Sequence, residues 1–396
     1  MGNSINENKR KTQAHGYNNL IFLEGIDIIC RKAKPEDKTQ WNNVVKESLN
    51  GTFYHTWEWK EVIEKGFGSE AFPVVVEDEQ EKKIVGIFPF FLKNAFEYNK
   101  IVKYFPFISN NFQIGCSPYY KVYSFGGPCV LSSITDSDEI YNLMFDLIDK
   151  YSKNKKSVIS HLMYPYHNCL DSAFTQNGYK MVRSRKTTVV NIDKDLGEIC
   201  KGFKKQFSKD IRRAAKSGVN IYESQNHIEE IDLFFNVFQR ALIDRIFEQN
   251  NNDSTKIRGA LLPYSYFLEM RDLLFPEKMA RLFFAEYNGI KIGAQINYYY
   301  KDTMYLGITS VLRGYNNLNA SKLLIWHSIV DGKRNNFKRI DLSGLHPDEL
   351  HGQYKFKMGF NGEVKEIKEY TKSYRYKEIK YLKKLIKDCV ENLNSK

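Results

Sequence analysis

Apolar and polar residues alternate in short runs along much of this chain, and longer stretches with a helical period separate those runs. The spacing predicts helices over Glu36 to Leu49 and Thr56 to Lys65, with Trp57, Val62 and Ile63 among the packing residues. Alternation then takes over. Phe72-Pro-Val-Val-Val-Glu77, a charged turn at Asp78 to Glu81, and Lys83 to Leu92 predict a hairpin in which Pro89, lacking a ladder donor, marks an edge or a bulge. A third strand, Lys121 to Phe125, ends at Gly126-Gly127-Pro128. A helix over Asp138 to Lys153, a strand over Val158 to Tyr164, a short helix near Cys169 to Gln176 and a strand over Tyr179 to Ile192 complete the first half.

The second half repeats this order after a helical preface at Lys201 to Ser217, His227 to Glu248 and Pro263 to Leu274. Strands at 281–287 and 290–300 are joined by Asn288-Gly289, a two-residue hairpin signal. A strand over Thr303 to Thr309, a polar turn, a helix over Ala320 to Arg334 and a strand over Lys338 to Ser343 follow. A meander followed by a helical crossover sets two parallel strands side by side, and a cofactor arm can lie where they splay. The fold class expected is therefore α+β (mixed α/β), in two tandem domains over 21–195 and 196–396, each a mostly antiparallel sheet with a helical crossover and flanking helices. The boundary falls near 193–200. Residues 1–20 read as a disordered lead-in.

Composition narrows the class further. With 396 residues and 42% hydrophobic content there is material for two cores. A 14% aromatic share, 26 Tyr and 27 Phe, suits a sheet-rich protein. The balance of 59 basic and 47 acidic residues gives a formal +12 and favours anionic partners: RNA, nucleotide sugars or acidic lipid headgroups. Met1 to Asn19 has no apolar core and reads as neither signal peptide nor anchor, and Asn6 spoils the myristoylation pattern begun by Gly2. The longest apolar run, Ile84 to Leu92, is far shorter than the ~20 residues a bilayer requires. A cytoplasmic protein is expected. Six cysteines (30, 116, 129, 169, 200, 389) without a CxxC pair read as free thiols and argue against structural zinc.

Several motifs then carry a resemblance. Phe53-Tyr-His-Thr-Trp-Glu-Trp59, Val85-Gly-Ile-Phe-Pro-Phe-Phe-Leu92, Ser124-Phe-Gly-Gly-Pro128, Asp341-Leu-Ser-Gly344 and Tyr354-Lys-Phe-Lys-Met-Gly-Phe-Asn-Gly-Glu363 occur in this order. Together, from about Trp41 to Tyr374, the chain resembles the Fem-type (FemAB- and FemX-like) acyltransferases, tandem GNAT-fold proteins related to the enzymes that add amino acids to peptidoglycan precursors. The Phe-Lys-x-Gly-Phe-x-Gly-Glu stretch is the most specific piece. The resemblance implies transfer of an acyl or aminoacyl group onto an amine of a cell-envelope or glycan precursor. Aminoacyl-tRNA or acyl-CoA would be the co-substrate, with no tightly bound cofactor. An acetyl-CoA-dependent N-acetyltransferase is one alternative, and a catalytically silent RNA- or anion-binding protein is another. Transient contact with a membrane surface fits the charge, and oligomeric state is not readable. Two departures stand out. The turn that would hold a CoA pyrophosphate, Arg313-Gly-Tyr-Asn-Asn-Leu-Asn-Ala320, contains only Gly314, and Tyr164-Pro165 replaces the acidic residue before proline that relatives often carry.

Acyl transfer to an amine needs an unprotonated nucleophile, a donor for the oxyanion and a proton for the leaving group. Lys357, at the family's Phe-Lys position, is the first candidate for the oxyanion or a donor phosphate, a role worth ~3 kcal/mol at a desolvated centre; the alternative is a solvated lysine. Asp341 could orient an amine or cap the following turn through an Asx bond. Tyr354 is a candidate proton donor or a packing tyrosine. His351 is a candidate base, whereas a metal site in His346-Pro-Asp-Glu-Leu-His351 is rejected, because the spacing is not HExxH and Pro347 disfavours helix. Phe203, Phe207, Ile211 and Ala215 form an apolar stripe on the 201–217 helix, with seven basic residues on its other faces against a single Asp210 and Gly218 as C-cap. Lys205, Lys209, Arg212 and Arg213 are candidate phosphate contacts for a tRNA or anionic acceptor, and Arg313 and Gly314 for the donor turn. The alternative for the helix is an ordinary solvated face.

Overall fold

The computed structural model describes residues 14–15, 18–23, 26–94, 120–134, 137–164, 170–225, 227–250 and 261–375; for 14–15, 18–23, 26, 94, 164, 227 and 247–250 it describes the backbone alone. In chain order the first half contains β1 (Ala14–His15), β2 (Asn18–Leu23), β3 (Ile26–Lys32), α1 (Lys38–Glu47), α2 (Trp57–Phe67), β4 (Glu70–Ala71), β5 (Val74–Asp78), β6 (Lys83–Phe88), β7 (Phe91–Asn94), β8 (Tyr120–Phe125), β9 (Cys129–Val130), α3 (Ser137–Asn154), β10 (Ser157–Tyr164), α4 (Asp171–Gln176) and β11 (Lys180–Asn191). The second half contains α5 (Leu196–Gly202), α6 (Lys205–Lys216), β12 (Asn220–Glu223), α7 (His227–Asn250), α8 (Tyr264–Leu273), β13 (Ala280–Tyr287), β14 (Ile290–Tyr300), β15 (Thr303–Val311), α9 (Ala320–Arg334), β16 (Arg339–Gly344), α10 (Gly352–Met358) and β17 (Glu363–Ser373).

The strands form two sheets. A six-stranded one runs β1-β2-β3-β5-β6-β9, and an eleven-stranded one runs β12-β13-β14-β15-β16-β11-β17-β10-β8-β7-β4. Each half thus lends its closing strand to the other. β11 pairs antiparallel with β16, and β17 slots between β11 and β10, antiparallel to both. A boundary near 193–200 therefore separates two stretches of sequence but not two sheets. The polar alternation of single strands carries no information about which half supplies the neighbour.

Other expectations are corrected locally. Residues 14–15 and 18–23, partly inside the lead-in expected to be disordered, are strands. The Lys83–Leu92 strand divides at Pro89: β6 stays in the smaller sheet while β7 crosses to the larger, because a residue without an N–H cannot carry a ladder through that point. The helix expected over 201–217 is two, broken at Phe203-Lys204, with Lys204 extended (ψ 133°). Within α6, Ser208, Ile211 and Ala214 are buried while Ala215 faces solvent, because positions four apart drift by about 40° per step around a helix of 3.6 residues per turn. Residues 353–358, left without an element above, form α10. The hairpin at Asn288-Gly289 forms as expected, with φ of 49° and 75° at the two turn residues. Residues 1–13, Cys116, Cys169, Cys389 and the side chain of Tyr164 lie outside what is described; Cys30, Cys129 and Cys200 are free thiols. No helix among the described residues is long and apolar enough to cross a membrane.

Three apolar clusters hold the layers. One lies mostly in the first half, around Trp41, Phe88, Phe145 and Leu162, and takes in Tyr370 of β17; one lies mostly in the second, around Ile211, Leu324, Ile340 and Phe360, and takes in Val190 of β11. The third joins them: Phe53, Trp59 and Phe91 pack with Phe234, Phe267 and Tyr298. α2 lies so close to α8 that a Cβ on Gly66 would come 2.7 Å from the Tyr266 Cα, and Ser265 donates to the Gly66 carbonyl at 2.7 Å. Lys301, in the β14–β15 turn, donates to the Ser48 carbonyl at the end of α1 at 2.8 Å.

Because β10 lacks one neighbour without β17, and β16 lacks one without β11, fragments 1–195 and 196–396 should each be insoluble when expressed alone and should co-purify as a complex when co-expressed. Two separately soluble, monomeric fragments would contradict the strand exchange.

Candidate active site

β15 and β16 are parallel neighbours for only three rungs, Thr303–Arg339, Met304–Ile340 and Tyr305–Asp341, although β15 continues to Val311. A register irregularity opposite Gln295–Asn297 steers β15 along β14 instead. Near the end of β16, Ser343 is held at φ 66°. The Ser343 hydroxyl donates to the Leu306 carbonyl, and beyond this point the strands part. Asp341, on the last shared rung and 7% exposed, accepts from the Ser343 N–H at 2.7 Å, the Asx bond anticipated for it, and also from the Thr187 hydroxyl of β11. Both orienting roles occupy one oxygen, Oδ1.

Lys357 reaches this point from α10. Its ammonium donates to the Gly344 carbonyl at 2.8 Å. Burial lowers its pKa to about 8, against the upward pull of the Asp341 carboxylate. The rest of the motif is packing. Gly359 lets the Phe207 ring in, since a Cβ there would sit 2.2 Å from its Cζ, and Phe360 meets Phe203 and Phe207 at 5.2 Å. Gly362 lies against Thr188 and the Val189 backbone of β11. The two glycines and the phenylalanine thus fix α10, and the lysine is what the fixed helix presents. Tyr354 precedes Lys357 by three residues, which places both on one side of the helix, and is half-buried. His351 is exposed: its Nδ1 caps α10 by accepting from the Gln353 N–H at 3.2 Å, and its ring stacks on His346 at 3.7 Å. The capping bond commits that nitrogen. Among the described residues no group of three or more His, Cys, Asp or Glu is placed to hold a metal.

The first half supplies a residue that the sequence motifs contained but did not single out. The 3-10 turn Phe53–His55 is fixed by the Trp41 indole donating to the His55 carbonyl at 2.7 Å and by Phe53 stacking on Tyr298 at 4.7 Å. It drives Tyr54 between the halves, with ring centroids 5.6 Å from Tyr305 and 6.3 Å from Phe125. Burial and the Asp341 charge both push the Tyr54 phenol upward, so it stays protonated. Its neighbour His55 is fully buried and neutral, its pKa lowered to about 4 chiefly by burial, with Nδ1 engaged by Thr52 at 2.9 and 3.1 Å.

The corresponding place in the first half is shut. β8 and β10 stay paired from Tyr120–Ser157 to Phe125–Met163, and the Gly126 N–H then donates to the Met163 carbonyl at 2.8 Å. The glycine turn behind it, with φ of 103° and 73°, is filled by the His55 ring: a Cβ on Gly126 would be 2.3 Å from Nε2. Among the described residues, only the second half presents diverging parallel strands.

Beside that divergence lies α6. Lys322, in the first turn of α9, donates to Asp210 at 2.6 Å and to Asn319 at 3.1 Å and lies over the Phe207 ring at 4.7 Å. The single acid of the basic segment is thereby buried and spent, and its pKa is lowered: hydrogen bonds and charge from Lys322, with Gln206, outweigh its desolvation. Lys205, Lys209, Arg212 and Arg213 remain exposed on the outer side; Arg212 donates to the Ser208 carbonyl at 3.1 Å, and Arg213 lies 3.8 Å from Asp210. The turn before α9 is a 3-10 helix, Arg313–Leu318, closed by left-handed Asn319 (φ 55°). Arg313 and Gly314 are exposed on it, and nothing within 4 Å would obstruct a side chain at Gly314. The turn needs no glycine to form.

Residues 201–358 match the family model described as an acetyltransferase (GNAT) domain. Over 87% of its length the chain is similar to the crystal structure of FemX (14% identity, 97% of that chain, TM-score 0.64). It is similar also to a tandem GNAT protein from the clavulanic acid biosynthesis pathway (10%, 88% and 98%, 0.53) and to L-PGS from Bacillus licheniformis (9%, 92% and 98%, 0.50). Among curated proteins none matches. Identities this low speak for fold. The chain has the Fem-type tandem GNAT fold, that of the GNAT acyltransferases.

Two substitutions in one motif should separate packing from chemistry. Gly359→Ala should cost about 1–3 kcal/mol in denaturant unfolding, because the Phe207 ring is wedged between Phe356, Phe360 and Lys322. Lys357→Met should keep or raise the melting temperature at pH 7. The folded state there carries the penalty of a desolvated ammonium, which is relieved as pH rises from 8 towards the unfolded value of 10.5, so any advantage of Met should shrink over that window.

Proposed function

We propose that this protein is an N-acyltransferase whose reaction takes place in the second half, where β15 and β16 part in front of Lys357. The carrying observation is a half-buried ammonium with a lowered pKa at the only divergence of parallel strands among the described residues. A donor arm laid between the strands would bring its carbonyl to this point. An unprotonated acceptor amine attacks the carbonyl carbon, and negative charge collects on the carbonyl oxygen. A desolvated Lys357 ammonium lowers the energy of that charge far more than a solvated one could. The tetrahedral intermediate collapses to an amide. The leaving group departs as a thiol if the donor is acyl-CoA, or as a ribose hydroxyl if it is aminoacyl-tRNA, taking the proton that the amine gives up. Tyr354, on the same side of α10, is the candidate for handing on that proton.

For the donor we favour aminoacyl-tRNA over acyl-CoA. The 313–318 turn is helical and has no steric need of its glycine, whereas α6 sets four exposed cations beside the start of α9, a surface suited to a polyphosphate backbone. The acceptor would be an amine on an anionic cell-envelope or glycan precursor in the cytoplasm, in keeping with the formal +12. Asp341 is best read as a positioning residue, since its Oδ1 accepts from both Ser343 and Thr187.

Lys357→Ala should lower turnover by about ten-fold or more in a purified assay while the melting temperature holds. In the wild type, kcat/KM should fall as pH rises through about 8, because the active form of Lys357 is the protonated one. Unchanged turnover would remove Lys357 from the chemistry. For the donor, charged tRNA should raise the melting temperature more than uncharged tRNA and much more than acetyl-CoA; stabilisation by the thioester alone would reverse the assignment.

A further inference from the structure

A cavity of about 530 Å3 lies at the other end of the second half and on the other side of its sheet. Side chains alternate along a strand, so while Tyr298 faces Phe53 and the Tyr54 side, Tyr299 points the opposite way, where its hydroxyl donates to Asp331 of α9 at 3.2 Å. Phe275, Tyr299 and Phe337 wall the cavity, with Tyr299 and Phe337 in ring contact at 5.3 Å. Arg281 and Glu223 line it too. Three of the arginine's five N–H groups are engaged with acids: Nε and Nη2 donate to the two oxygens of Glu223 at 2.7 and 2.5 Å, and Nη1 donates to Asp331 at 2.8 Å. Phe283 and Tyr299 lie 5.5 and 5.4 Å from its guanidinium carbon.

Two carboxylates therefore share one guanidinium, so the triad of Glu223, Arg281 and Asp331 carries a net negative charge, and Glu223 is the acid of it that lines the cavity. Ring faces add to the same field, because the negative quadrupole face of an aromatic attracts cations. Lys278, the other cation of the lining, is exposed at the rim, where water screens it. An anion approaching the guanidinium here would also meet the two carboxylates already paired with it. We propose that this cavity binds an organic cation, a primary amine or guanidinium on an apolar stem, with the charged head against Glu223 and the stem between Phe275 and Phe337. The site is separate from the Lys357 centre and stands whether or not the acyltransferase reading does.

Calorimetric and thermal-shift titrations of the full chain with agmatine and 1,5-diaminopentane, against pentanoate and inorganic phosphate as controls, test the assignment. Both amines should bind with a sub-millimolar Kd and raise the melting temperature, and the two anions should not. Glu223→Gln should weaken amine binding about ten-fold, and Phe337→Ala, a half-buried position whose loss leaves the ion triad intact, about five-fold. Should Glu223→Gln fail to fold, Phe337→Ala decides. Lys357→Met should leave amine affinity unchanged. The proposal is overturned if neither amine binds, if the anions bind as well, if Phe337→Ala binds as the wild type does, or if Lys357→Met abolishes binding, which would place the amine at the acyl-transfer centre instead.

Discussion

The exchange of closing strands governs this molecule. With β11 seated against β16 and β17 against β10, neither half can complete its larger sheet alone, and both halves are locked to one continuous pleated surface. Everything at the site follows from that shared frame. Thr187 can reach Asp341 because a first-half strand borders β16, and Gly362 can fit against Val189 because β17 returns beside the same strand. Lys357 sits in the short link between β16 and β17, so the helix carrying it is pinned at both ends by strands whose partners come from the other half.

The same frame explains how a duplicated architecture comes to have one open centre. Both halves contain a parallel pair fed by a crossover helix, yet β8 and β10 are zipped to their ends while β15 follows β14 away from β16. His55 then occupies the glycine turn of the first half, and the adjacent Tyr54 is delivered to the second. One short turn thus fills one potential site and furnishes a wall of the other.

Much of this was legible in the sequence because it is local. Period and turn chemistry point to α2, α3, α9 and the hairpin at Asn288-Gly289, and the Phe-Lys-x-Gly-Phe stretch points to Lys357. What was not legible depends on partners distant in sequence. No pattern in residues 180–191 says that their neighbours are 339–344 and 363–373, and alternation alone could not show that Pro89 separates strands of two different sheets. In α6 the buried face departs from the every-four stripe for a smaller reason: four-residue steps drift around a helix of 3.6 residues per turn, which turns Ala215 to solvent. Tyr54 was hidden among 26 tyrosines, and only the Phe53–Tyr298 stack reveals why that ring faces the centre.

One consequence concerns biosynthesis. His161 of β10 and Glu369 of β17 are hydrogen-bonded neighbours 208 residues apart in the chain. On a ribosome adding ~5–20 residues per second, β10 and β11 emerge tens of seconds or so before the strand that must come between them. During that interval both present unpaired edges, and β11 carries Met181 and Val182, which stay more than half exposed even in the finished protein. The basic run Arg183, Arg185 and Lys186 follows immediately on that strand and would repel a second nascent copy. Like charges on β11 disfavour edge-to-edge pairing of two copies of that strand.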